Sequence, residues 1–220
     1  MRALSGSAVM FMLPMLAGVA LAETINFHNL TVGPASPPGW NCTQTGEGDV
    51  KWSIVRDDYP PNFWNVLEQT GTGATPSSPY PTPSVYPICI LNGPTLKDGF
   101  AQVKIKLVDG KQDRAAGLIW RVKDSNNYNI ARANALENDV TIYQTINGRR
   151  STKVRRWFPV TSNVWHTLRV DFKGNQSTVS YDNELVAIWY DDTFLDPGKV
   201  GVWTKADSVS MFDEFTYGTQ

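Results

Sequence analysis

The chain has 220 residues, a formal net charge of −1, 11% aromatic residues and two cysteines. This length suits one large domain, and the near-neutral charge gives no basis for binding nucleic acid or a membrane surface. A hydrophobic content of 41% is enough to build a real core.

Residues 1–22 predict a secretory signal peptide. Arg2 supplies a short positive region, an apolar run begins near Ala8, and the run ends in Ala20-Leu21-Ala22. Signal peptidase cleaves after small residues in this small-x-small pattern, and the run is too short for a comfortable membrane-spanning helix. We therefore expect cleavage after this motif, export to the periplasm or the exterior, and a single domain over residues 23–220 without membrane insertion.

Cys42 and Cys89 both lie in the predicted mature region. In an oxidising compartment they are expected to form a disulfide bond, and closing such a loop would stabilise the fold by about 4 kcal/mol in the chain-entropy model. Two free thiols are the alternative. A zinc site is not supported, because His28 and His166 have no ligand spacing.

Five prolines among Gly, Ser and Thr mark residues 71–87 as a long surface loop. Proline removes a donor from the hydrogen-bond ladder, so this segment cannot occupy a central position in a sheet. A linker between two domains is the alternative interpretation. Residues 23–70 contain too few predicted strands for a separate core, which favours one domain.

The rest of the chain predicts strands separated by turn residues, the pattern of an all-β sandwich. "FAQVKIKLV" alternates between apolar and polar positions, as a strand with one buried face does. "AGLIWRV" follows it, and its two expected faces are Leu118, Trp120 and Val122 on one side and Gly117, Ile119 and Arg121 on the other.

"NNYNIARANALENDVTIY", residues 126–143, contains good helix formers in its middle, but it lacks the cap and the apolar stripe of a helix. We predict a strand that places Ala131, Ala133 and Ala135 opposite Arg132 and Asn134. Small residues alternating with large polar ones are typical of a surface that another molecule approaches. The next segment, "VTIYQTINGRR", contains Asn-Gly, the strongest short signal for a hairpin.

These segments carry a family resemblance. "GLIWRVKDSNNYNIARANALENDVTIYQTINGRR", "WHTLRVDFKGN", "VSYDNELV" and "GKVGVWTKADSVSMFDEF" resemble the concanavalin A-like lectin/glucanase superfamily. More narrowly, they are similar to laminin G-like bacterial domains and to 3-keto-disaccharide hydrolase-type domains, over roughly residues 95–218. The resemblance implies an all-β, two-sheet antiparallel jelly-roll sandwich that holds sugars on the concave face of one bent sheet.

The leading functional hypothesis is carbohydrate binding on that concave face. Sugar recognition needs an aromatic plate and groups that make bidentate hydrogen bonds to hydroxyls. We expect neighbouring strands to bring the arginines together, and Trp203 and Lys205 share a face because they are two residues apart. Ordinary salt bridges and a core tryptophan are the alternative. The candidate substrate-binding residues are Arg121, Arg132, Asn134, Glu137, Trp203, Lys205 and Asp207.

An enzyme is the competing hypothesis. Glycoside hydrolysis needs two carboxylates on one bond, and well-known hydrolases of the superfamily carry them as Glu-x-Asp-x-x-Glu. This chain has Glu137-Asn138-Asp139 but lacks the third acid. If the domain is a hydrolase of the 3-keto-disaccharide type, Glu137 is the expected catalytic acid or base. A structural or adhesive module is the third possibility.

No cofactor and no metal are expected. Calcium is conceivable at Asp191, Asp192 and Asp196, but three acids fall short of the six or more oxygen ligands that it takes. The hairpin region also contains four arginines that form either a solvated tip or a contact with an acidic glycan: Arg149, Arg150, Arg155 and Arg156.

Overall fold

The computed structural model describes residues 22–57, 63–71 and 85–219. The predicted signal peptide and most of the proline-rich loop lie outside these residues. Within the described ranges, no helix is long and apolar enough to cross a membrane. The strands of the described residues are β1 (Ala22–Ile25), β2 (Gly33–Pro34), β3 (Trp40–Thr45), β4 (Trp52–Asp57), β5 (Trp64–Gln69), β6 (Tyr86–Leu91), β7 (Gly99–Asp109), β8 (Ala115–Asp124), β9 (Asn127–Asn134), β10 (Asp139–Ile146), β11 (Arg149–Trp157), β12 (Trp165–Lys173), β13 (Gln176–Tyr181), β14 (Glu184–Tyr190), β15 (Lys199–Thr204) and β16 (Val209–Gly218).

Two antiparallel sheets make up the described structure, which confirms the predicted all-β sandwich. The nine-stranded sheet has the order β14-β13-β12-β7-β16-β5-β4-β2, with β1 paired to β16. The seven-stranded sheet has the order β11-β10-β9-β8-β15-β6-β3. Long connections cross between the sheets, so that neighbouring strands such as β7 and β16 are far apart in the sequence.

The main hydrophobic core lies between the two sheets. It buries one face of each strand, because successive side chains of a strand point to opposite faces. On β7 the predicted inward set, Val103, Ile105 and Leu107, is fully buried. On β8 the core receives Leu118 and Trp120. Each of these side chains contributes about 1.5–3 kcal/mol when it is fully buried.

A second hydrophobic cluster lies on the outer face of the seven-stranded sheet, away from the main core. Ile119 belongs to it, since Leu118 and Trp120 on either side point inward. Apolar side chains are therefore buried on both faces of this sheet, which explains why strands such as β8 are apolar at nearly every position. The members are Tyr86, Ile88, Ile90, Ala115, Ile119, Val122, Tyr128, Ile130, Tyr143 and Trp203.

The predicted Asn-Gly hairpin is confirmed between β10 and β11. Asn147 and Gly148 have φ angles of 50° and 76°, in the left-handed region that a two-residue hairpin turn requires and that glycine and asparagine tolerate best. The flanking pair, Ile146 and Arg149, then begins the antiparallel register. This turn orders the strand that carries the four arginines.

The predicted disulfide is also present. Cys42 on β3 and Cys89 on β6 lie directly opposite each other in the register, with their Cα atoms 3.9 Å apart. The bond ties the edge strand of the seven-stranded sheet to its neighbour and closes a loop with a sequence separation of 47.

Replacing both cysteines with serine should lower the free energy of unfolding by about 4 kcal/mol, because the open loop gains conformational entropy in the unfolded state. Urea denaturation measures the change. Wild-type protein denatured with a reducing agent is the matched control and should lose the same amount. An unchanged denaturation midpoint in the double variant would contradict a stabilising disulfide.

Candidate functional site

A row of side chains crosses the outer face of the seven-stranded sheet. Residues that pair directly in adjacent antiparallel strands point to the same face. From β6 to β11 the paired residues of this row are Ile88, Trp203, Gly117, Arg132, Thr141 and Arg155. Arg132 and Trp203 therefore share one face, and Ala131 and Ala133 point into the core on the opposite side.

Gly117 separates Trp203 from Arg132 in this row. A Cβ atom at this position would lie 2.6 Å from the Ala131 carbonyl oxygen and 3.4 Å from the Trp203 ring. Real Cβ atoms do not approach backbone that closely, so only glycine fits at this position. Its missing side chain provides the space that the Trp203 indole occupies. Trp203 is completely buried there.

Arg132 and Asp139 form a buried ion pair on this face, with side chains 1% and 0% exposed. Arg132 Nη2 donates to Asp139 Oδ1, and Arg155 Nε donates to Asp139 Oδ2 at 2.5 Å. Both carboxylate oxygens of Asp139 are therefore occupied. Such compensation is required, because removing one partner of a buried pair leaves a charge that water does not solvate.

Glu137 lies at the exposed edge of this pair. Its carboxylate accepts hydrogen bonds from Arg132 Nη2 at 2.9 Å and from Arg155 Nη2 at 3.1 Å. Burial alone raises the pKa of Glu137, but the charge and hydrogen bond of Arg132 and the charge of Arg155 outweigh burial and hold this pKa below its usual value. Glu137 is therefore an ionised acceptor that remains 39% exposed.

Asn134 and Lys205 reach the same ions through Asp113, a buried residue that the sequence did not single out. Asn134 Nδ2 donates to Asp113 Oδ1 at 2.7 Å, and Lys205 Nζ donates to Asp113 Oδ2. Asn134 Oδ1 accepts from the backbone of Leu136 and Glu137. The Asn134 amide thus fixes the turn that holds Glu137. We call the six ions of this region the charged cluster: Asp113, Arg132, Glu137, Asp139, Arg155 and Lys205.

Arg121 does not join the charged cluster, so the expectation that it converges with Arg132 is wrong. A β-bulge in β8 shifts the register after Trp120, and Arg121 has a φ of 52°. Its guanidinium donates to the Phe194 carbonyl at 2.7 Å and lies 5.6 Å from the ring centroid of Phe172, a residue of the main core. The same bulge places Val122 in the outer cluster. The prediction from simple alternation, that Val122 shares a face with Leu118 and Trp120, is therefore wrong.

Asp207 also stays outside the charged cluster. Its carboxylate accepts from the backbone N–H groups of Lys111 at 2.8 Å and Asp113 at 2.9 Å. Burial raises the pKa of Asp207, but these backbone hydrogen bonds, with that of Gln112, outweigh it and lower the pKa. Asp207 therefore holds the loop before β8 in place, which positions Asp113.

The four arginines of β11 divide between two faces. Arg150 and Arg155 point to the outer face, since they pair with Thr145 and Thr141. Arg149 and Arg156 pair with Ile146 and Val140 and lie on the other side. A bulge between the partners of Ile142 and Tyr143 makes this possible, because residues an odd number apart otherwise face opposite ways. The four do not form one basic tip.

Three further aromatic residues, which are not among the predicted ligand-binding residues, complete the face. Trp157 pairs with Asp139 at the end of β11 and is 75% exposed, with the guanidinium of Arg155 4.7 Å from its ring centroid. Tyr86 stacks on Trp203, with ring centroids 5.5 Å apart, and Tyr143 lies beneath Arg150. Once the hairpin is identified, strand alternation predicts that Tyr143 lies on this face. The bulges in β8 and β11 cannot be predicted from alternation.

Two of the three acids considered for calcium, Asp191 and Asp192, accept hydrogen bonds within the protein. Asp191 accepts from Gln144 Nε2 at 2.9 Å and from the backbone of Thr193 at 3.0 Å, and Asp192 accepts from Asn175. Across residues 22–57, 63–71 and 85–219, no group of three or more His, Cys, Asp or Glu side chains is arranged to hold a metal ion.

Comparison with known proteins places the fold. No protein-family model and no curated protein matches the chain. Carbohydrate binding module CBM66 from Bacillus subtilis superposes with a TM-score of 0.60 at 20% identity, over 82% of this chain and 96% of that chain. The Emp47p carbohydrate recognition domain gives a TM-score of 0.59 at 12% identity, over 92% and 98% of the two chains.

A prokaryotic beta-1,3-1,4-glucanase (lichenase) derived from a mouse hindgut metagenome is similar to the same extent. Its TM-score is 0.57 at 14% identity, and the match covers 91% of this chain and 98% of that chain. At these identities the likeness concerns the fold, and a fold alone does not assign an activity. The chain has the concanavalin A-like jelly-roll fold that its sequence motifs predicted.

Proposed function

We propose that this domain binds carbohydrate on the outer face of its seven-stranded sheet. The observation that carries the proposal is the exposed ring of Trp157 beside the charged cluster. Aromatic rings bind the apolar C–H face of a sugar, and fixed ionic groups bind its hydroxyls. The jelly-roll neighbours with carbohydrate-binding names support the same substrate class.

The charged cluster is organised for recognition of hydroxyl groups. Its exposed members are Glu137, an ionised acceptor, and Arg155, a donor whose side chain is 45% exposed. Its buried members hold these two in place: Asp139 fixes Arg155, and Arg132 fixes Glu137. Because the protein has already ordered these groups, a ligand meets them without an additional entropic cost.

Binding is favoured over hydrolysis by the state of the two carboxylates. A glycosidase acid needs a raised pKa so that it carries a proton near neutral pH, whereas the pKa of Glu137 is lowered. Asp139 is buried, and both of its oxygens accept hydrogen bonds from arginines, so it has no free oxygen to activate water. The alternative of a 3-keto-disaccharide hydrolase gains no support from this geometry.

We also propose that the domain is exported. The small-x-small motif at residues 20–22 and the apolar run before it are the sequence basis for this. The Cys42–Cys89 disulfide agrees with it, since disulfide bonds persist in oxidising compartments. N-terminal sequencing of the protein recovered from its native host would show whether the mature chain begins after Ala22.

The first prediction concerns the sugar platform. Trp157→Ala should weaken glycan binding about tenfold or more, because stacking on an exposed indole is lost, while the melting temperature stays within about a degree. Glycan-array binding followed by calorimetry on the strongest ligand measures this. Tyr190→Ala is the matched control, since Tyr190 is 62% exposed on the edge strand of the other sheet. Equal losses in both variants, or none in Trp157→Ala, would place the glycan elsewhere.

The second prediction concerns Glu137 and pH. A carboxylate whose pKa is lower in the folded than in the unfolded state stabilises the fold above its unfolded pKa, and this contribution disappears as the pH falls through its folded pKa. Glu137→Gln should therefore lower the melting temperature at pH 7. The difference from wild type should shrink as the pH falls below the ordinary glutamate value of 4.5 and vanish once the pH is below the lowered pKa of the folded state.

The matched control is Glu184→Gln, on the exposed strand β14, which should give a smaller difference at pH 7. A constant difference between wild type and Glu137→Gln from pH 7 to pH 3 would show that the Glu137 carboxylate is not held by the arginines. Turnover of 3-keto-glycosides by the wild type that disappears in Glu137→Gln would replace the binding function by the hydrolase.

A further inference from the structure

Arg150 lies across three aromatic rings on the outer face of the seven-stranded sheet. Its guanidinium carbon is 4.1 Å from the ring centroid of Tyr143, 4.8 Å from that of Tyr86 and 5.7 Å from that of Trp203. We call these three rings the aromatic box. They hold the cation by their ring quadrupoles and fix its orientation, and Arg150 as a whole residue is half-buried.

The charge of Arg150 is not compensated by the protein. Within the charged cluster, three cations meet three carboxylates, and each ion has a partner of opposite sign. In the part of the chain that the structure describes, Arg150 has no carboxylate partner, and its Nη1 atom is buried without a hydrogen bond. The Arg132 guanidinium lies 5.2 Å from the same Tyr143 ring, but its charge is balanced by the carboxylates of the charged cluster.

An unpaired guanidinium held on a proposed ligand-binding face indicates an anionic ligand group. Arginine matches a carboxylate in geometry as well as in charge, because its planar N–H donors reach both oxygens at once. The aromatic box prevents Arg150 from folding away to the solvent. A carboxyl group on a sugar ring is the group that suits a site with aromatic surfaces around a cation.

We propose that Arg150 and the aromatic box bind the carboxylate of a uronic acid, so that the ligand is an acidic oligosaccharide. This inference rests on the proposed function and names its substrate class. The strand rise separates the positions of Asp139 and Tyr143 by about 13 Å. Since Trp157 pairs with Asp139, a ligand that contacts both Trp157 and Arg150 spans more than one sugar unit.

The test compares one ligand in two chemical forms. Short oligogalacturonides, oligomannuronates and hyaluronan oligosaccharides are each measured by calorimetry before and after reduction of their carboxyl groups to alcohols. At least one of the acidic forms should bind about tenfold or more tightly than its reduced form, which corresponds to one charge-assisted contact. Its affinity should fall as salt is added, because mobile ions screen the exposed part of the charge.

Three variants locate the effect on the protein. Arg150→Met keeps an apolar chain over the aromatic box and should lose the preference for the acidic form. Arg149→Met removes the same charge from the adjacent residue of the hairpin, on the opposite face, and should keep the preference. Arg150→Lys retains the charge without the planar donors and should keep only part of it.

The outcomes separate this inference from the proposed function. Equal affinity for acidic and reduced forms, an equal loss in Arg149→Met, or binding of neutral glycans with none of any uronide overturns the uronate site alone. In those cases neutral binding that remains sensitive to Trp157→Ala preserves the proposed function. Failure to bind any acidic or neutral glycan overturns both.

Discussion

The buried carboxylate of Asp139 is the interaction on which the binding face depends. It lies between Arg132, which is also buried, and Arg155, which reaches solvent. Without it, the Arg132 guanidinium would stay in the interior with only the half-exposed Glu137 and the more distant Asp113, 3.8 Å away, to balance its charge, which is costly in a region of low dielectric. Because Asp139 binds two arginines at once, it sets the positions from which those arginines hold Glu137.

Two β-bulges decide which arginines reach that face. In β8 the bulge at Arg121 turns its side chain toward the main core, where it bonds backbone carbonyl groups. In β11 the bulge brings Arg150 and Arg155 to the same side although five residues separate them. A bulge adds one residue to one strand and so reverses the alternation beyond it. The same device thus removes one arginine from the site and supplies another.

Much of the fold follows from local sequence. The Asn147-Gly148 turn can be predicted because asparagine and glycine are the residues that most readily adopt the positive φ angles of such a turn. The burial of Val103, Ile105 and Leu107 can be predicted because a half-buried strand alternates between apolar and polar residues. The same alternation places Ala131 and Ala133 on the face opposite Arg132.

The remainder of the site depends on tertiary structure. The placement of Arg121 could not be predicted, because a bulge depends on which strands lie beside the bulged one. Asp113 gave no signal either, since it lies in a loop whose position is set by Asp207, about a hundred residues later in the sequence. The sequence also leads us to expect Arg132 as an exposed sugar-binding group. In the structure Arg132 is buried, and its role is to hold Glu137 and Asp139 in place.

Gly117 limits how this scaffold can diversify. Any side chain there meets the Ala131 carbonyl and the Trp203 indole, so the middle of the sheet cannot acquire a new recognition group by point mutation. Trp157, Glu137 and Arg150 lie nearer the strand ends and turns, where a replacement disturbs fewer packed neighbours. Related domains with different ligands are therefore expected to vary at this rim while the centre of the sheet stays unchanged.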